Sequence, residues 1–180
     1  IMTCIVGFID KKNKKAIIGA DSAGVAGLDI TIRKDKKVFQ VGEFIIGCTS
    51  SFRMIQLLQF SFTPPKVYDK DIYEYMCTDF INAVRNCFKD GGYLQKYSDG
   101  DEKGGTFLVA YKDRLFKVSG DFQVGEAMQG YDACGCGDSY ALGSIFNTNK
   151  TNANTIVLDA LKTAEYFSGG VSEPFFTYCT

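Results

Sequence analysis

Three side chains near the start of the sequence could together activate a nucleophile. Thr3 carries a hydroxyl close to the N-terminus, Asp21 closes the second apolar run, and Lys37 opens the third. A nearby ammonium can lower the pKa of a hydroxyl or relay its proton, and a carboxylate can hold that ammonium in place. This chemistry needs no imidazole, which matters because the 180-residue sequence contains no histidine. A Ser-His-Asp or Cys-His hydrolase is therefore excluded by composition.

The elements that must position these groups are two β-hairpins. Residues 4–9 and 15–20 are apolar runs rich in Ile and Val on either side of a charged turn, which predicts the first hairpin. Residues 37–41 and 43–49 predict the second, and the two hairpins are expected to form one four-stranded block. The small, Gly-rich run at 22–27 between them is expected to be a loop whose backbone lies close to other backbone, including that of a peptide substrate.

The rest of the chain alternates between helical and strand patterns. Apolar spacing predicts helices that start after Ser51 and that cover about 70–89, 138–147 and 153–167, while strands are predicted over 106–110, 115–118, 122–127 and 174–179. This order favours two sheets packed together between helical layers. No repeat or linker indicates a second domain, so residues 1–180 are predicted to form a single domain.

The N-terminal stretch resembles the N-terminal-nucleophile hydrolases, specifically the branch of threonine peptidases that contains the proteasome β-subunit and bacterial HslV. In that family a Thr begins the mature chain, an Asp ends the second strand, and a Lys stands in a Lys-Lys-Val context; Thr3, Asp21 and Lys37 match these positions in order. The resemblance implies an α+β fold, a four-layer αββα sandwich in which two antiparallel sheets lie between helical layers. Its compact length is more similar to HslV.

The resemblance also implies a role for each of these three residues. The hydroxyl of Thr3 would attack a peptide carbonyl, while its free α-amine, with an unperturbed pKa of about 7.7–8.0, would handle the proton. Lys37 would lower the pKa of the hydroxyl, and Asp21 would keep Lys37 charged and oriented. Because Ile1 and Met2 precede Thr3, the active state is expected to depend on release of the Thr3 α-amine.

Later positions match the family with two departures. The backbone N–H of Ser51, where the family usually has Gly, would be the oxyanion donor; the open alternative is a simple helix cap. Cys136 stands where the family has Ser in Gly-Ser-Gly, and a thiol is the weaker hydrogen-bond donor. Glu165 and Ser168 match Asp-x-x-Ser-Gly-Gly, with a carboxylate one methylene longer. The departures at Cys136 and Glu165 both affect residues expected to handle the proton at the α-amine. The open alternative for Glu165 is a solvated charge on its helix.

Substrate binding is predicted at the corner between the second hairpin and the first helix. An extended peptide between the backbone of Gly24 and Val25 and that of Ser51 and Phe52 would add a strand to the sheet. By resemblance, the pocket beneath is lined near Thr49 and Arg53. A positive charge at Arg53 would favour acidic or small apolar residues over Lys or Arg before the scissile bond. The open alternative is that Arg53 points along its helix into solvent.

Composition narrows the partners and the location. The net charge of −1 gives no bulk electrostatic case for nucleic acid or an anionic membrane, and the apolar runs are too short to cross a bilayer. Seven cysteines, an odd number scattered through apolar runs, indicate reduced thiols in a cytoplasmic protein. Without histidine or a second cysteine pair at ligand spacing, no metal site and no cofactor are predicted.

Together these features predict a threonine-type endopeptidase that hydrolyses unfolded polypeptide inside a homo-oligomeric ring. An ATP-dependent unfoldase partner is implied by the resemblance. An apolar stripe formed by Ile55, Leu58 and Phe60, together with the second helix, is expected to offer an interface between copies. Two alternatives remain open at this point, namely a catalytically silent structural subunit of the same fold and a small-molecule amidase with the same nucleophile.

Overall fold

The computed structural model describes residues 2–96 and 102–180. Its strands are β1 (Cys4–Asp10), β2 (Lys15–Ala20), β3 (Ala23–Ala26), β4 (Asp29–Ile32), β5 (Val38–Val41), β6 (Phe44–Cys48), β7 (Gln95–Lys96), β8 (Glu102–Lys103), β9 (Phe107–Tyr111), β10 (Arg114–Val118), β11 (Val124–Gly125), β12 (Tyr131–Gly135) and β13 (Phe176–Cys179). Its helices are α1 (Phe52–Phe60), α2 (Ile72–Tyr75), α3 (Ile81–Asp90), α4 (Asp138–Phe146) and α5 (Ala153–Phe167). A π-helical turn over Met76–Phe80 joins α2 to α3.

Two antiparallel sheets form the centre of the fold. The first has the strand order β12-β1-β2-β13, and the second has the order β11-β10-β9-β6-β5. They pack face to face through buried aliphatic side chains such as Ile5, Ile18 and Ile45, and Gly47 of β6 lies directly against Ile5 and Ile18. Antiparallel sheets with two apolar faces need cover on both sides. The packing of the helices supplies that cover.

The helices form the two outer layers. Val157 and Leu161 of α5 pack with Val6 of the first sheet, while Leu58 of α1 and Phe80 of the π-helical turn pack with the second sheet. The predicted four-layer αββα sandwich is therefore confirmed. The helix boundaries also follow the sequence closely, because the side chain of Ser51 caps α1 by accepting from the Arg53 N–H, and α5 covers the predicted 153–167.

The expectation of one four-stranded N-terminal block is wrong. The hairpin β1–β2 lies in the first sheet, and the hairpin β5–β6 lies in the second. Each hairpin buries both of its faces, so the two stack face to face instead of pairing edge to edge. The run expected to be a loop at 22–27 contains β3, which pairs with β4 in a two-stranded sheet.

The expected apolar stripe on α1 is also wrong as an interface. Ile55 and Leu58 are 2% and 0% exposed because both pack into the core of their own domain, while Phe60 is 77% exposed. Among the described residues, other exposed large apolar side chains include Leu28, Ile30 and Ile32 around β4, and Tyr140, Phe146, Tyr166 and Phe167 on α4 and α5.

All seven cysteines lie within the described residues, and all are free thiols. Across residues 2–96 and 102–180, no cluster of three or more acidic or cysteine side chains is arranged to hold a metal ion. In the same ranges, every helix is too short or too polar to traverse a lipid bilayer.

Candidate active site

The three residues singled out by their chemistry meet at one point between the two sheets. Thr3 immediately precedes β1 and Asp21 follows β2, and because these strands are antiparallel neighbours their two ends lie together. Lys37 immediately precedes β5 in the facing sheet. Its Nζ donates to Thr3 Oγ at 2.6 Å and to Asp21 Oδ1 at 2.8 Å, and the Thr3 hydroxyl donates to the same Oδ1. The hydroxyl thus lies between an ammonium and a carboxylate.

Asp21 is held by backbone donors as well as by Lys37. Its Oδ1 accepts from the Cys4 N–H at 3.0 Å, and its Oδ2 accepts from the Ala23 N–H at 2.9 Å and from the Ser172 N–H at 3.4 Å. These hydrogen bonds from three backbone N–H groups and one ammonium fix the direction of the carboxylate.

Lys37 is a buried ammonium with a perturbed proton affinity. Its side chain and that of Asp21 are both 0% exposed. Burial lowers the pKa of Lys37 from its ordinary value, and the attraction of the Asp21 carboxylate opposes this effect without cancelling it. Perturbed titratable groups of this kind cluster at functional sites.

The Thr3 side chain is covered in this structure. Thr3 is 0% exposed, and its nitrogen is the amide of the Met2–Thr3 peptide bond. Met2 packs so closely on Gly170 that a Cβ added to Gly170 would lie 2.3 Å from the Met2 Cβ. Met2 therefore occupies the space beside the nitrogen that the proposed chemistry needs to be free.

Cys136 and Ser168 reach Thr3 through its carbonyl. The thiol of Cys136 donates to Thr3 O at 3.4 Å, and Ser168 Oγ donates to the Cys136 sulfur at 3.3 Å. The same carbonyl accepts from the Gly137 N–H at 3.3 Å. Gly135 has φ of 107°, and a Cβ there would lie 2.2 Å from Thr3 O. Only glycine at that position lets the two segments approach so closely.

Glu165 lies apart from this group. Its Oε1 accepts from the Glu173 N–H at 2.8 Å. Among the described residues, no hydrogen bond joins its carboxylate to Thr3, Cys136 or Ser168. The longer carboxylate instead anchors the chain that follows α5. The sequence left two alternatives open for Glu165, namely proton handling at the α-amine and a freely solvated charge. The observed hydrogen bond to the Glu173 N–H corresponds to neither of them.

The predicted oxyanion donor is already hydrogen-bonded within its own loop. The Ser51 N–H donates to Thr49 O at 2.9 Å across Ser50, whose φ of 69° is the left-handed value expected for a γ-turn. Ser50 Oγ accepts from the Thr106 N–H at 3.0 Å, which holds this turn against β9. Stabilising an oxyanion with the Ser51 N–H therefore requires the peptide between Ser50 and Ser51 to rotate.

The predicted substrate groove contains an arginine that the sequence analysis missed. The guanidinium of Arg33 stacks over the ring of Phe52 at 3.7 Å from its centroid, and its side chain packs on Gly24. Arg33 is also paired in two hydrogen bonds, of 2.8 and 2.7 Å, with Asp35. Val25 pairs with Ile30 of β4, which leaves only the other edge of β3 for a peptide. Arg33 thus spans the two walls of the groove.

The two residues expected to line the pocket beneath differ in their placement. Thr49 is 6% exposed, and its N–H donates to Thr106 O at 3.2 Å. Arg53 is exposed and donates from Nη2 to Gly91 O, at the end of α3, at 3.4 Å. A cation at that helix end interacts favourably with the free carbonyls. Arg53 thus points towards α3, a direction that neither sequence-based alternative described.

Arg33 and the contacts of Ser172 could not be predicted from local sequence because both depend on residues that are distant in the chain. Arg33 follows β4, a strand that the Gly-rich pattern concealed. Ser172 lies 151 residues from Asp21, and no local spacing links them. The Ser-Gly-Gly sequence that ends α5 was the available signal, since it marks a chain that must turn back toward the sheet.

No protein-family model and no curated protein matches this chain significantly. Solved structures do match over nearly its whole length. The BPH protein of Thiobacillus denitrificans, in complex with epoxomicin, has a TM-score of 0.78 at 21% identity, covering 98% of this chain and 97% of its own. Eukaryotic HslV from Trypanosoma brucei has a TM-score of 0.67 at 14% identity, covering 98% of both chains.

A third match is Anbu, an ancestral β-subunit, from Yersinia bercovieri. It has a TM-score of 0.67 at 16% identity, and the match covers 98% of this chain and 81% of that one. At these identities the likenesses establish a common fold. The resemblance to the HslV fold that the sequence indicated is therefore confirmed, while the chemistry at Thr3 rests on the geometry described above.

Proposed function

We propose that this single-domain chain is a threonine-type endopeptidase whose nucleophile is Thr3. The observation that carries the proposal is the position of the Thr3 hydroxyl, which accepts from Lys37 Nζ at 2.6 Å and donates to the Asp21 carboxylate. A buried hydroxyl held by an ammonium and a carboxylate can be activated as a nucleophile in a chain without histidine. The shared fold with HslV and Anbu supports the same conclusion.

The proposed reaction begins once the Thr3 α-amine is free. The neutral amine accepts the hydroxyl proton as Oγ attacks the peptide carbonyl, and the Lys37 ammonium stabilises the developing negative charge on Oγ. The amine then passes that proton to the nitrogen of the leaving peptide, which leaves an ester on Thr3. Water hydrolyses the ester, and the hydroxyl regains a proton. Asp21 holds Lys37 in position throughout.

Rotation of the Ser50–Ser51 peptide would complete the site. Opening the γ-turn would break the bond from the Ser51 N–H to Thr49 O and leave that N–H for the carbonyl oxygen of the substrate. One such donor typically contributes about 10²–10³ in rate. Substrate that pairs with the free edge of β3 would supply the binding energy for this change.

The second candidate is a catalytically silent subunit of the same fold, and the closed γ-turn at Ser50 favours it. In that case the buried pair of Lys37 and Asp21 would serve the folded structure alone. The covered position of Thr3 fits both candidates, because an unprocessed enzyme and a silent subunit would each keep Met2 in place.

The two candidates differ in a peptide-hydrolysis assay. Protein shown by intact mass to begin at Thr3 is expected to hydrolyse fluorogenic peptides. The Thr3→Ala variant, prepared so that its chain begins at the same position, is expected to be inactive. Epoxomicin, which the Thiobacillus denitrificans protein binds, is expected to inhibit the hydrolysis. Absence of hydrolysis in the verified wild-type protein, across peptides of differing sequence, would support the silent subunit.

Specificity is expected to depend on Arg33 and not on Arg53. Replacing Arg33 by Ala leaves the Asp35 carboxylate without its ion-pair partner beside the groove, so peptides with Arg before the scissile bond should gain over peptides with Glu. Because the pair is partly exposed, the change in relative kcat/KM should be about two- to fivefold. Arg53→Ala should leave the ranking of Glu, Leu and Arg peptides unchanged. A ranking that responds to Arg53 and not to Arg33 would contradict this assignment.

The active form is proposed to be a homo-oligomeric ring in the cytoplasm that receives unfolded polypeptide from an ATP-dependent unfoldase. Support for self-association comes from the exposed apolar side chains on β4 and from an aromatic patch in which Phe167 stacks with Tyr140 at 5.4 Å. Light scattering should give a mass several times 19.9 kDa, and Phe167→Asp should lower it. A monomer at every concentration tested would contradict the ring.

A further inference from the structure

The carboxylate of Glu165 ends in a hydrogen bond to backbone, at a distance from the reacting atoms. The residue lies in the last turn of α5, and its Oε1 accepts from the Glu173 N–H at 2.8 Å. Between the two residues the chain leaves the helix, passes Gly169 and Gly170, and turns back toward the first sheet. This bond closes the excursion and fixes the segment 172–174 relative to α5.

The segment 172–174 is in turn bonded to Asp21 and to the residue beside it. The Ser172 N–H donates to Asp21 Oδ2 at 3.4 Å, and Ser172 O accepts from the Ser22 N–H at 2.9 Å. Ser22 Oγ donates to Pro174 O at 2.5 Å, and Ser22 is 2% exposed. One hydrogen bond therefore joins this segment to the Asp21 carboxylate, and two join it to the neighbouring Ser22.

We infer that Glu165 is a positioning residue that orients Asp21 through the segment 172–174, so that Lys37 and Thr3 Oγ stay in reactive geometry. The inference rests on the proposed function for its activity readout. What Glu165 supplies is an acceptor at a given distance from α5. Neither its negative charge nor a proton enters the reaction.

This role depends on the length of the side chain and not on its charge. A glutamine at 165 keeps the length of the side chain and an amide oxygen that accepts from the Glu173 N–H, but it has no charge. An aspartate keeps the charge but is one methylene shorter. If Glu165 acts as an acceptor for the Glu173 N–H, the Gln variant should retain activity and the Asp variant should lose it. If Glu165 instead handles a proton or supplies charge, the Asp variant should retain activity and the Gln variant should lose it.

The test compares Glu165→Gln, Glu165→Asp and Glu165→Ala with Lys162→Ala, which removes an exposed charge from the same helix. Each protein is prepared with a verified Thr3 N-terminus, and kcat and KM are measured for one peptide substrate. We expect Ala and Asp to lower kcat about tenfold with KM changed less than twofold, because a shift in position weakens the reacting geometry more than it weakens binding. Gln and the Lys162 control should retain at least half of the wild-type kcat.

A second measurement does not depend on peptidase activity. Amide hydrogen exchange of the peptide that contains residues 171–175 should be faster in the Ala and Asp variants than in wild type, and unchanged in Gln. If the wild-type protein hydrolyses no peptide, the proposed function fails while exchange still decides whether Glu165 anchors the segment. Activity that is retained in Glu165→Asp but lost in Glu165→Gln would overturn the inference. Unchanged amide exchange of this peptide in Glu165→Ala would also overturn it.

Discussion

Replacing Lys37 by Met is expected to lower peptide hydrolysis by about 10²–10⁴-fold, the range found when a group that stabilises charge or moves a proton is removed. Lys37 Nζ is the donor 2.6 Å from Thr3 Oγ, and Met fills similar space without a charge. The hydroxyl would then face Asp21 alone, whose negative charge disfavours an alkoxide. KM should change little, because Lys37 is fully buried and contacts the nucleophile instead of the groove.

Stability needs its own control, because the substitution leaves the buried Asp21 carboxylate without a cation. Breaking a buried ion pair on one side typically costs about 3–5 kcal/mol. The double variant Lys37→Met with Asp21→Asn removes both charges and should recover part of the unfolding free energy without recovering activity. Lys117→Met breaks a partly exposed pair with Asp132 and should stay active. Wild-type turnover in folded Lys37→Met protein would contradict the proposed role.

Protein that retains Met2 is expected to be inactive, and protein that begins at Thr3 is expected to be active. An amide nitrogen cannot accept the hydroxyl proton, and in the described form Thr3 is 0% exposed with Met2 packed on Gly170. Removing the preceding residues supplies the base and uncovers the hydroxyl in one step. The activity difference should therefore reach the detection limit of the assay.

The comparison uses two preparations of one sequence, released from a cleavable fusion so that the chain begins either at Met2 or at Thr3. Intact mass establishes each N-terminus before and after the assay, since slow release of Met2 during the measurement would mimic activity. Equal rates in the two preparations, with Met2 still present, would contradict the requirement for a free α-amine.

The sequence indicated the group formed by Thr3, Asp21 and Lys37, because local strand patterns and the family resemblance together place each residue; the structure brings the three side chains into contact. Apolar runs rich in Ile and Val determined β1 and β2, so Thr3 and Asp21 could be placed at adjoining strand ends. The next apolar run placed Lys37 at the start of a strand, but it did not indicate that this strand lies in the second sheet. The αββα layers followed from the order of helices and strands, since central strands such as β1, β6 and β9 carry apolar residues on both faces.

Other features depend on contacts between residues that are far apart in the sequence, and no local pattern indicates them. β12 contains Asp132 and Gly135 in place of a β-branched run, and it forms because β1 offers a free edge along its length. The direction of Arg53 depends on where α3 ends, and the role of Glu165 depends on a chain segment that returns to Asp21. The γ-turn at Ser50 requires a positive φ at a non-glycine residue, which residue preferences argue against.

Isolating the covalent intermediate would establish whether Thr3 Oγ is the attacking atom. Protein that begins at Thr3 is mixed with a peptide ester, quenched in acid within the first turnover, digested, and mapped by mass spectrometry. An acyl group is expected on the N-terminal fragment at Thr3; it should be absent from Thr3→Ala and strongly reduced in Lys37→Met. Hydrolysis without any adduct at Thr3, or with the acyl group on another residue such as Cys136, would show that Thr3 is not the nucleophile.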